Sequence, residues 1–181
     1  GVAFTPVLVS TKSHKLQDGT EYYGINPLGY VPLLELDDGT HLREGPAIVQ
    51  YIADLAPHKN LAPANGTLAR YRLQEWLTFI GTELHKGFSP LFQPNTPEEY
   101  KGTVRQQLLS RMQWVDSQLE GKEWLLGEHF SVADGYLFTV CNWGKVVGVD
   151  LSGFQHLQAY LARVGARPAV QTALKAEGLL K

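Results

Sequence analysis

One stretch of this chain has the residue types and spacing to hold an extended peptide: Asn26-Pro27-Leu28-Gly29-Tyr30-Val31-Pro32. Pro32 precedes the apolar residues 33–36 and has no N–H, so it suits the first position of a strand. A cis Val31–Pro32 bond fits this place in the chain. That bond would turn the main chain of Val31 outward, so that its N–H and C=O groups could pair with a peptide as an added strand.

A second group of residues that could bind a ligand follows at Glu44-Gly45-Pro46. Pro46 suits the first turn of a helix, because a missing N–H costs nothing there. Glu44 and Gly45 would then lie beside the unpaired N–H groups and the positive end of the helix dipole, which attract a carboxylate. The sequence thus predicts a peptide-holding loop followed by an anion-binding helix start.

A third candidate lies on a long amphipathic helix that the apolar spacing predicts for Thr67 to Phe88. Thr78, Thr82 and His85 are separated by four and three residues, which places them together on a polar face of that helix. A histidine alone on a helix is usually a surface or core residue. The prediction that His85 is functional therefore depends partly on the two threonines that share its face of the helix.

Short elements in the first part of the chain must position the first two groups. The pattern predicts a strand over Phe4 to Val9, a polar loop, a hairpin of 33–36 with 40–42 turned by Asp38-Gly39, and a helix from Pro46 to Leu55. Short strands followed by a helix indicate an α/β arrangement.

The rest of the chain predicts helices. Thr96-Pro97-Glu98-Glu99 has the pattern of a capping box, with proline at the first helical position, and starts a helix that ends at Gly121. Ser131-Val132-Ala133-Asp134 has the same kind of pattern, and we assign Asp134 to folding stability. Two shorter helices follow, the last starting at Pro168. Three aromatic residues, Trp114, Tyr136 and Trp143, could line a pocket for an apolar co-substrate. Aromatic residues at helical spacing more often pack inside a protein, so we assign all three to the core.

Bulk properties bound the possible functions. At 181 residues and 44% apolar composition, the chain is long enough to bury a sizeable core. Its formal net charge of -2 gives no electrostatic footprint for nucleic acid or an acidic membrane surface. No apolar run approaches the roughly 18 residues that span a bilayer. A single cysteine, Cys141, excludes an internal disulfide framework and a multi-cysteine metal site. These features favour a globular protein of the reducing cytoplasm that holds no metal.

The loop, the hairpin and the acidic residue followed by a small one at a helix start resemble the glutathione transferase family in order and spacing. Two strings, Glu83-Leu84-His85-Lys86-Gly87-Phe88 and Thr96-Pro97-Glu98-Glu99-Tyr100, are similar to its bacterial beta class. The resemblance implies a thioredoxin-like α/β glutathione-binding domain at 1–57, a linker at 58–66 and an all-helical domain at 67–181. It also implies a homodimer that uses glutathione as its co-substrate.

The family's glutathione site can be carried onto residues of the first domain. Val31 matches the residue whose main chain pairs with the cysteinyl unit, and Tyr30 and Pro32 lie beside it. Glu44 would bind the ammonium of the γ-glutamyl unit, and the N–H of Gly45 would bind its carboxylate. Many relatives have serine after the acidic residue, so Gly45 keeps the main-chain donor but lacks a hydroxyl.

Other family positions are matched with more departures. His14 stands where the beta class commonly has a lysine for the glycyl carboxylate. A histidine is only partly cationic near neutral pH, so glutathione affinity would fall as pH rises. The alternative is that His14 is a solvated loop residue with no role in binding. His85 matches the position that faces the sulfur, and Thr78 one that is often asparagine and reaches the glutathione of the neighbouring subunit. The resemblance completes the glutathione-binding set with three further residues: Thr82, Glu83 and Leu84.

The implied mechanism is activation of the glutathione thiol, whose ordinary pKa is near that of free cysteine, about 8.5. In the beta class a cysteine near the N-terminus lies beside the sulfur and supports redox chemistry. The chain reaches an apolar run directly after Gly1, and we expect that a first strand and helix carrying the catalytic residue precede it. Cys141 does not replace that residue, since it lies in the apolar stripe of a core helix.

Three functions agree with these residues. The first is a transferase that joins glutathione to electrophiles, with thiol-disulfide or peroxidase activity as an extension; the second is a non-catalytic module that binds ligands or proteins; the third is a glutathione-dependent isomerase or dehalogenase. A scaffold would need only Pro32 and the core, whereas Val31, Glu44, Gly45 and His85 are all present. We therefore favour the transferase.

Overall fold

The computed structural model describes residues 2–180. The chain forms two compact units, Gly1–Lys59 and Asn60–Lys181. The first unit contains short strands and one α-helix, and the second is helical. This agrees with the expected order of an α/β part followed by an all-helical part.

The first unit is built from two small antiparallel pairs and a helix. Strand β1 pairs with β2, and β3 pairs with β4 with Leu34 opposite Leu42. Single 3-10 turns lie at Tyr22–Gly24 and Pro57–Lys59. The elements of this unit are β1 (Val9–Ser10), β2 (Lys15–Leu16), β3 (Leu33–Glu35), β4 (His41–Arg43) and α1 (Gly45–Asp54).

The predicted Asp-Gly hairpin is confirmed. The Asp38 carboxylate accepts a 2.8 Å hydrogen bond from the N–H of Thr40, and Gly39 takes the positive φ of 80° that the turn requires. The same device recurs between β2 and the first 3-10 turn, where Asp18 accepts from the N–H of Thr20 at 2.9 Å and Gly19 has a φ of 89°. This second Asp-Gly turn lies in the segment that was predicted only as a polar loop.

The predicted strand over Phe4 to Val9 is wrong in its extent. Only Val9 and Ser10 form a strand, and Phe4, Val7 and Leu8 are exposed. A strand needs a partner to satisfy its main-chain groups, and within residues 2–180 no strand pairs with residues 4–8. An apolar run alone therefore did not determine this element.

The second unit places a continuous apolar core among its helices. No helix of the described residues is long and apolar enough to cross a membrane. A π-helical segment, Ile80–His85, joins α2 to α3. The helices are α2 (Leu68–Phe79), α3 (Lys86–Phe92), α4 (Glu98–Leu119), α5 (Val132–Asn142), α6 (Gly144–Val147), α7 (Gln155–Gly165) and α8 (Pro168–Ala176).

The single helix predicted for Thr67 to Phe88 is interrupted. The N–H of Lys86 bonds the carbonyl of Gly81, five residues back, so the chain widens into a π turn before α3. The apolar stripe that predicted this helix is nevertheless buried except for the half-buried Trp76, because a local widening leaves its other members facing the core: Leu73, Leu77, Ile80, Leu84 and Phe88. A pattern of buried residues therefore does not reveal the π turn.

One of the two predicted capping boxes forms. Helix α4 starts at Glu98 with Pro97 as its N-cap and no side-chain cap, so the box at Thr96 and the assignment of Pro97 to the first helical position are wrong. Proline at the N-cap holds extended angles and shifts the start of the helix by one residue. Glu98 instead pairs with Lys101 at 2.8 Å.

The box at Ser131 and Asp134 is confirmed and extends into the core. The buried Asp134 carboxylate accepts hydrogen bonds from the N–H groups of Ser131 (2.7 Å) and Leu125 (2.9 Å) and from the hydroxyl of Tyr160 (3.0 Å). Burial raises the pKa of Asp134, while these donors act in the opposite direction. One carboxylate thus ties the start of α5 to two other segments of the second unit.

Candidate functional site

The predicted peptide-holding loop is organised by the buried side chain of Asn26. Its Nδ2 donates to the carbonyl of Tyr30 at 2.8 Å, and its Oδ1 accepts from Nε of Arg43 at 3.1 Å. The hydroxyl of Tyr22 donates to the same Tyr30 carbonyl at 2.9 Å. These bonds hold the main chain of the loop immediately before Val31, while the Tyr30 side chain is exposed.

The Val31–Pro32 bond is cis, as predicted. Val31 lies outside β3, and no hydrogen bond reaches its main chain from any residue in the described range 2–180. Its side chain is also exposed. The Val31 N–H and C=O are therefore available to an extended peptide, in the way that the sequence predicts.

Gly29 allows this loop to close against its neighbours. It has a φ of 69°, and a Cβ atom built on it would lie 2.6 Å from Cε1 of Tyr23 and 3.0 Å from Nδ1 of His14. The positive φ favours glycine, since other residues rarely adopt this backbone conformation, and a methyl group would force the Tyr23 ring to shift. Gly29 is thus required for the structure of the loop over residues 26–32.

His14 lies against the loop rather than free in solvent. Its Nδ1 is 3.2 Å from the carbonyl of Gly29, and its ring stacks on Tyr23 with 4.6 Å between centroids. Because a carbonyl only accepts, Nδ1 carries a hydrogen, and Nε2 can donate to a carboxylate only in the protonated ring. The half-buried position weakens the alternative of a simple solvated loop residue.

Glu44 occupies the N-cap of α1 with unusual backbone angles, φ 66° and ψ 113°. Its carbonyl accepts from the N–H groups of Ala47 (2.9 Å) and Ile48 (3.0 Å), while its side chain is exposed. Helix α1 starts at Gly45, one residue before the predicted Pro46. Left-handed angles at a residue other than glycine are strained and concentrate at ligand-binding positions.

In the second unit, His85 ends the π turn beside two residues of a neighbouring helix region. Its Nδ1 is 2.8 Å from the hydroxyl oxygen of Tyr136, and its ring meets the edge of Trp143 at 4.6 Å between centroids and 88° between planes. The His85 side chain remains exposed. Sequence reasoning assigned both aromatic partners to the core, which is wrong: each is only half-buried and touches the candidate histidine.

The burial pattern of α5 could have indicated these partners. Ala133, Leu137, Val140 and Cys141 form its fully buried stripe, and Tyr136 lies at the border of that stripe rather than in it. Border positions suit aromatic residues with a polar tip, because the ring packs and the hydroxyl reaches outward.

The third aromatic residue assigned to the core, Trp114, is also misplaced. Its side chain is 44% exposed on α4 and packs against Trp76 and Phe79 of α2, with 5.3 Å and 4.6 Å between ring centroids. A helical spacing of aromatic residues did not distinguish a core stripe from an aromatic cluster on the surface.

The other candidates of the second unit lie in different surroundings. The Thr82 hydroxyl donates to the carbonyl of Thr78 at 3.0 Å, a bond to its own helix, and both threonines are exposed. Glu83 forms an ion pair with Arg111 of α4 at 2.8 Å. Leu84 is fully buried, which leaves its side chain no surface for a ligand.

Cys141 is buried as predicted. Its Sγ lies 3.9 Å from Sδ of Met112, and burial raises the pKa of the thiol to about 12. A thiol in this state is not a nucleophile at neutral pH. Within residues 2–180, no three histidine, cysteine, aspartate or glutamate side chains come together as they would around a metal ion.

Comparison with known proteins gives a consistent picture. The family model of the glutathione S-transferase C-terminal domain matches residues 79–168. Glutathione S-transferase GstA of Escherichia coli O157:H7 is 49% identical over 179 residues, which cover 99% of this chain and 89% of that protein.

Two solved structures are similar over nearly the whole chain. A ternary complex of BphK, a bacterial GST, is 55% identical with a TM-score of 0.96, covering 98% of this chain and 88% of that one. A bacterial beta-class glutathione S-transferase of Sphingomonas chungbukensis is 45% identical with a TM-score of 0.95, covering 99% of this chain and 89% of that one.

Proposed function

Because this chain belongs to the glutathione S-transferase family and resembles its bacterial beta class, we propose which of its residues hold glutathione and act on it. The protein is a glutathione transferase: it activates the thiol of glutathione for conjugation to electrophilic substrates. In that reaction the thiol loses its proton, the thiolate forms a bond to an electrophilic atom, and the leaving group departs. Thiol-disulfide and peroxidase reactions are extensions of the same thiolate chemistry.

The observation that carries the binding proposal is the main chain of Val31, an exposed residue that receives no main-chain hydrogen bond from residues 2–180 and lies between the bonded Tyr30 carbonyl and Pro32. We assign the cysteinyl unit of glutathione to Val31, with Tyr30 and Pro32 shaping the loop. Glu44 binds the γ-glutamyl ammonium, and the N–H of Gly45 binds its carboxylate.

His14 completes the glutathione contacts proposed for the first unit. In its protonated form the ring donates from Nε2 to the glycyl carboxylate while Nδ1 keeps its bond to Gly29. Its strained backbone, with φ 52°, supports a functional role.

In the second unit we assign His85 to the chemistry at the sulfur. The exposed Thr78, Thr82 and Glu83 are assigned to glutathione binding, with Thr78 reaching the glutathione of the neighbouring subunit in a homodimer. Leu84 supports this segment from the core and does not touch the ligand through its side chain. We further propose an apolar electrophile as second substrate and the cytoplasm as the site of action.

Replacement of Glu44 tests the binding proposal. In the full-length protein, Glu44→Ala is expected to weaken glutathione binding in calorimetry about 30-fold, since a charge-assisted pair is worth about 2 kcal/mol. Glu35→Ala, which removes an exposed carboxylate from β3 of the same unit, is the matched control and should leave the affinity unchanged. Unchanged affinity in Glu44→Ala, or no glutathione binding by the wild type, would contradict the proposal and favour a non-catalytic module.

Replacement of His85 tests the catalytic assignment. His85→Ala is expected to lower kcat more than it raises the KM for glutathione, because a group that acts on the sulfur stabilises the thiolate rather than the bound peptide. The opposite pattern would make His85 a binding residue only.

A further inference from the structure

We infer that Tyr136 is a positioning residue for the reaction: its hydroxyl holds Nδ1 of His85 and thereby fixes which ring nitrogen faces the sulfur with a hydrogen. The inference rests on the role proposed for His85. It adds a residue that the sequence assigned to the core and that acts through His85 rather than by touching glutathione.

The contact between the two side chains has the geometry of a strong hydrogen bond. The Tyr136 hydroxyl oxygen lies 2.8 Å from Nδ1 of His85, and the two rings meet at 66° with 5.8 Å between centroids. Trp143 meets the same imidazole edge-on, at 88° between planes. The imidazole is therefore restrained by a polar contact at one nitrogen and by an aromatic contact as well.

The main chain leaves room for the Tyr136 hydroxyl at the π turn. A Cβ atom built on Gly81 would lie 3.6 Å from that hydroxyl oxygen, so the oxygen sits against the main chain of the turn that ends at His85. Gly81 is also the residue whose carbonyl receives the N–H of Lys86, the bond that widens the turn. π turns occur often at functional sites, where they re-aim a side chain.

The helix that carries Tyr136 is firmly anchored two residues earlier. Asp134 is fully buried and accepts from Ser131, Leu125 and Tyr160, which fixes the first turn of α5. A positioning residue must itself be held by its surroundings, and this anchor meets that requirement.

The direction of the hydrogen bond follows from the two groups. A phenol is a good donor and a weak acceptor, whereas the unprotonated nitrogen of a neutral imidazole is a strong acceptor. Tyr136 O–H therefore donates to Nδ1 of His85, and the ring hydrogen lies on Nε2. Nε2–H is then a preset donor that stabilises a thiolate, because a fixed donor needs no reorganisation as the charge forms.

The experiment is nitrogen-15 NMR of the histidine side chains combined with steady-state kinetics of the full-length protein. In the wild type, His85 is expected as the Nε2–H tautomer, its signals assigned by their loss in His85→Gln. In Tyr136→Phe the tautomers should mix, kcat should fall about tenfold and the KM for glutathione should stay within about twofold. Tyr100→Phe, which removes an exposed hydroxyl from α4, is the matched control and should change none of the three.

The outcomes separate this inference from the proposed function. An Nδ1–H tautomer in the wild type, or an unchanged tautomer and kcat in Tyr136→Phe, would overturn the inference while glutathione binding and the effect of His85→Ala still stand. Full turnover in His85→Ala would remove the proposed role of His85 and the inference with it. If Tyr136→Phe lowered both kcat and the melting temperature while the His85 tautomer stayed unchanged, Tyr136 would be a structural residue only.

Discussion

The first unit positions its candidate residues with polar contacts and unusual backbone angles, whereas the second unit positions its own on a packed helical core. Among the described residues, the buried apolar side chains of the first unit are Tyr22, Ile48 and Ala53. His14 and Glu44 both have positive φ angles there. The second unit instead buries a continuous set of apolar side chains from α2, α4, α5 and α7.

This difference indicates where single substitutions should act. In the first unit, one hydrogen bond or one missing Cβ determines where the Val31 main chain lies, so a small change should alter glutathione binding. In the second unit, many weak packing contacts together position the candidate side chains, so the loss of a single apolar contact should move them less. Asp134 is the exception, since one buried carboxylate there serves several donors.

The largest effect is expected for Asp134→Ala, which tests whether packing alone holds the helical unit. The change leaves the N–H groups of Ser131 and Leu125 without their acceptor in a buried place. We expect the free energy of unfolding to fall by about 4 kcal/mol in urea denaturation. Asp116→Ala is the matched control: it removes one acceptor, from the N–H of Leu157, and should cost about 1 kcal/mol. If both variants lost the same free energy of unfolding, the several hydrogen bonds of Asp134 would stabilise the unit no more than the single bond of Asp116.

The second largest effect is expected for Gly29→Ala in the first unit. A methyl group there would lie 2.6 Å from Cε1 of Tyr23 on a backbone of positive φ, and we expect a loss of about 3 kcal/mol together with at least tenfold weaker glutathione binding. Gly19→Ala is the matched control, because φ is 89° there but nothing lies within 4 Å of the added atom. If both variants bound glutathione as the wild type does, the close packing at Gly29 would not govern the loop.

The two units also differ in how well the sequence predicted them. In the second unit, helical periodicity and the Ser131 box predicted the long helices and their aliphatic core, because buried stripes repeat over many residues. The box at Thr96 and the core assignment of the three aromatic residues were wrong. The π turn before Lys86 was missed, since the stripe continues through it. In the first unit the hairpin was predicted from Asp38-Gly39, but the strand over 4–9 was not correct in extent, because pairing with a partner decides it.

The sequence predicted the residues of the candidate site better than the contacts that position them, because only local constraints leave a pattern in the chain. Motif residues such as Val31 could be read from the chain, because the proline and glycine beside them constrain the backbone locally. The contacts that position them could not: Asn26 reaches Arg43 across 17 residues, and Tyr136 reaches His85 across 51. Such long-range hydrogen bonds leave no periodic pattern in a sequence.

The smallest effect is expected for Gly45→Ser, which should improve the first unit instead of damaging it. A Cβ atom on Gly45 would make only ordinary contacts, at 3.8 Å and 4.0 Å from Pro32, and the position does not require a positive φ. The added hydroxyl can donate to the γ-glutamyl carboxylate beside the first N–H groups of α1. One such hydrogen bond is worth about 1 kcal/mol, so calorimetry should show about fivefold tighter glutathione binding.

Gly45→Ala separates the hydroxyl from the added carbon in this last comparison. It carries the same Cβ without a donor, and we expect its glutathione affinity to equal that of the wild type within about twofold. A gain in both variants would mean that a stiffer main chain, not the hydroxyl, improves binding. No gain in Gly45→Ser would argue that the γ-glutamyl carboxylate lies away from the start of α1, and that polar contacts of the first unit are organised around Val31 alone.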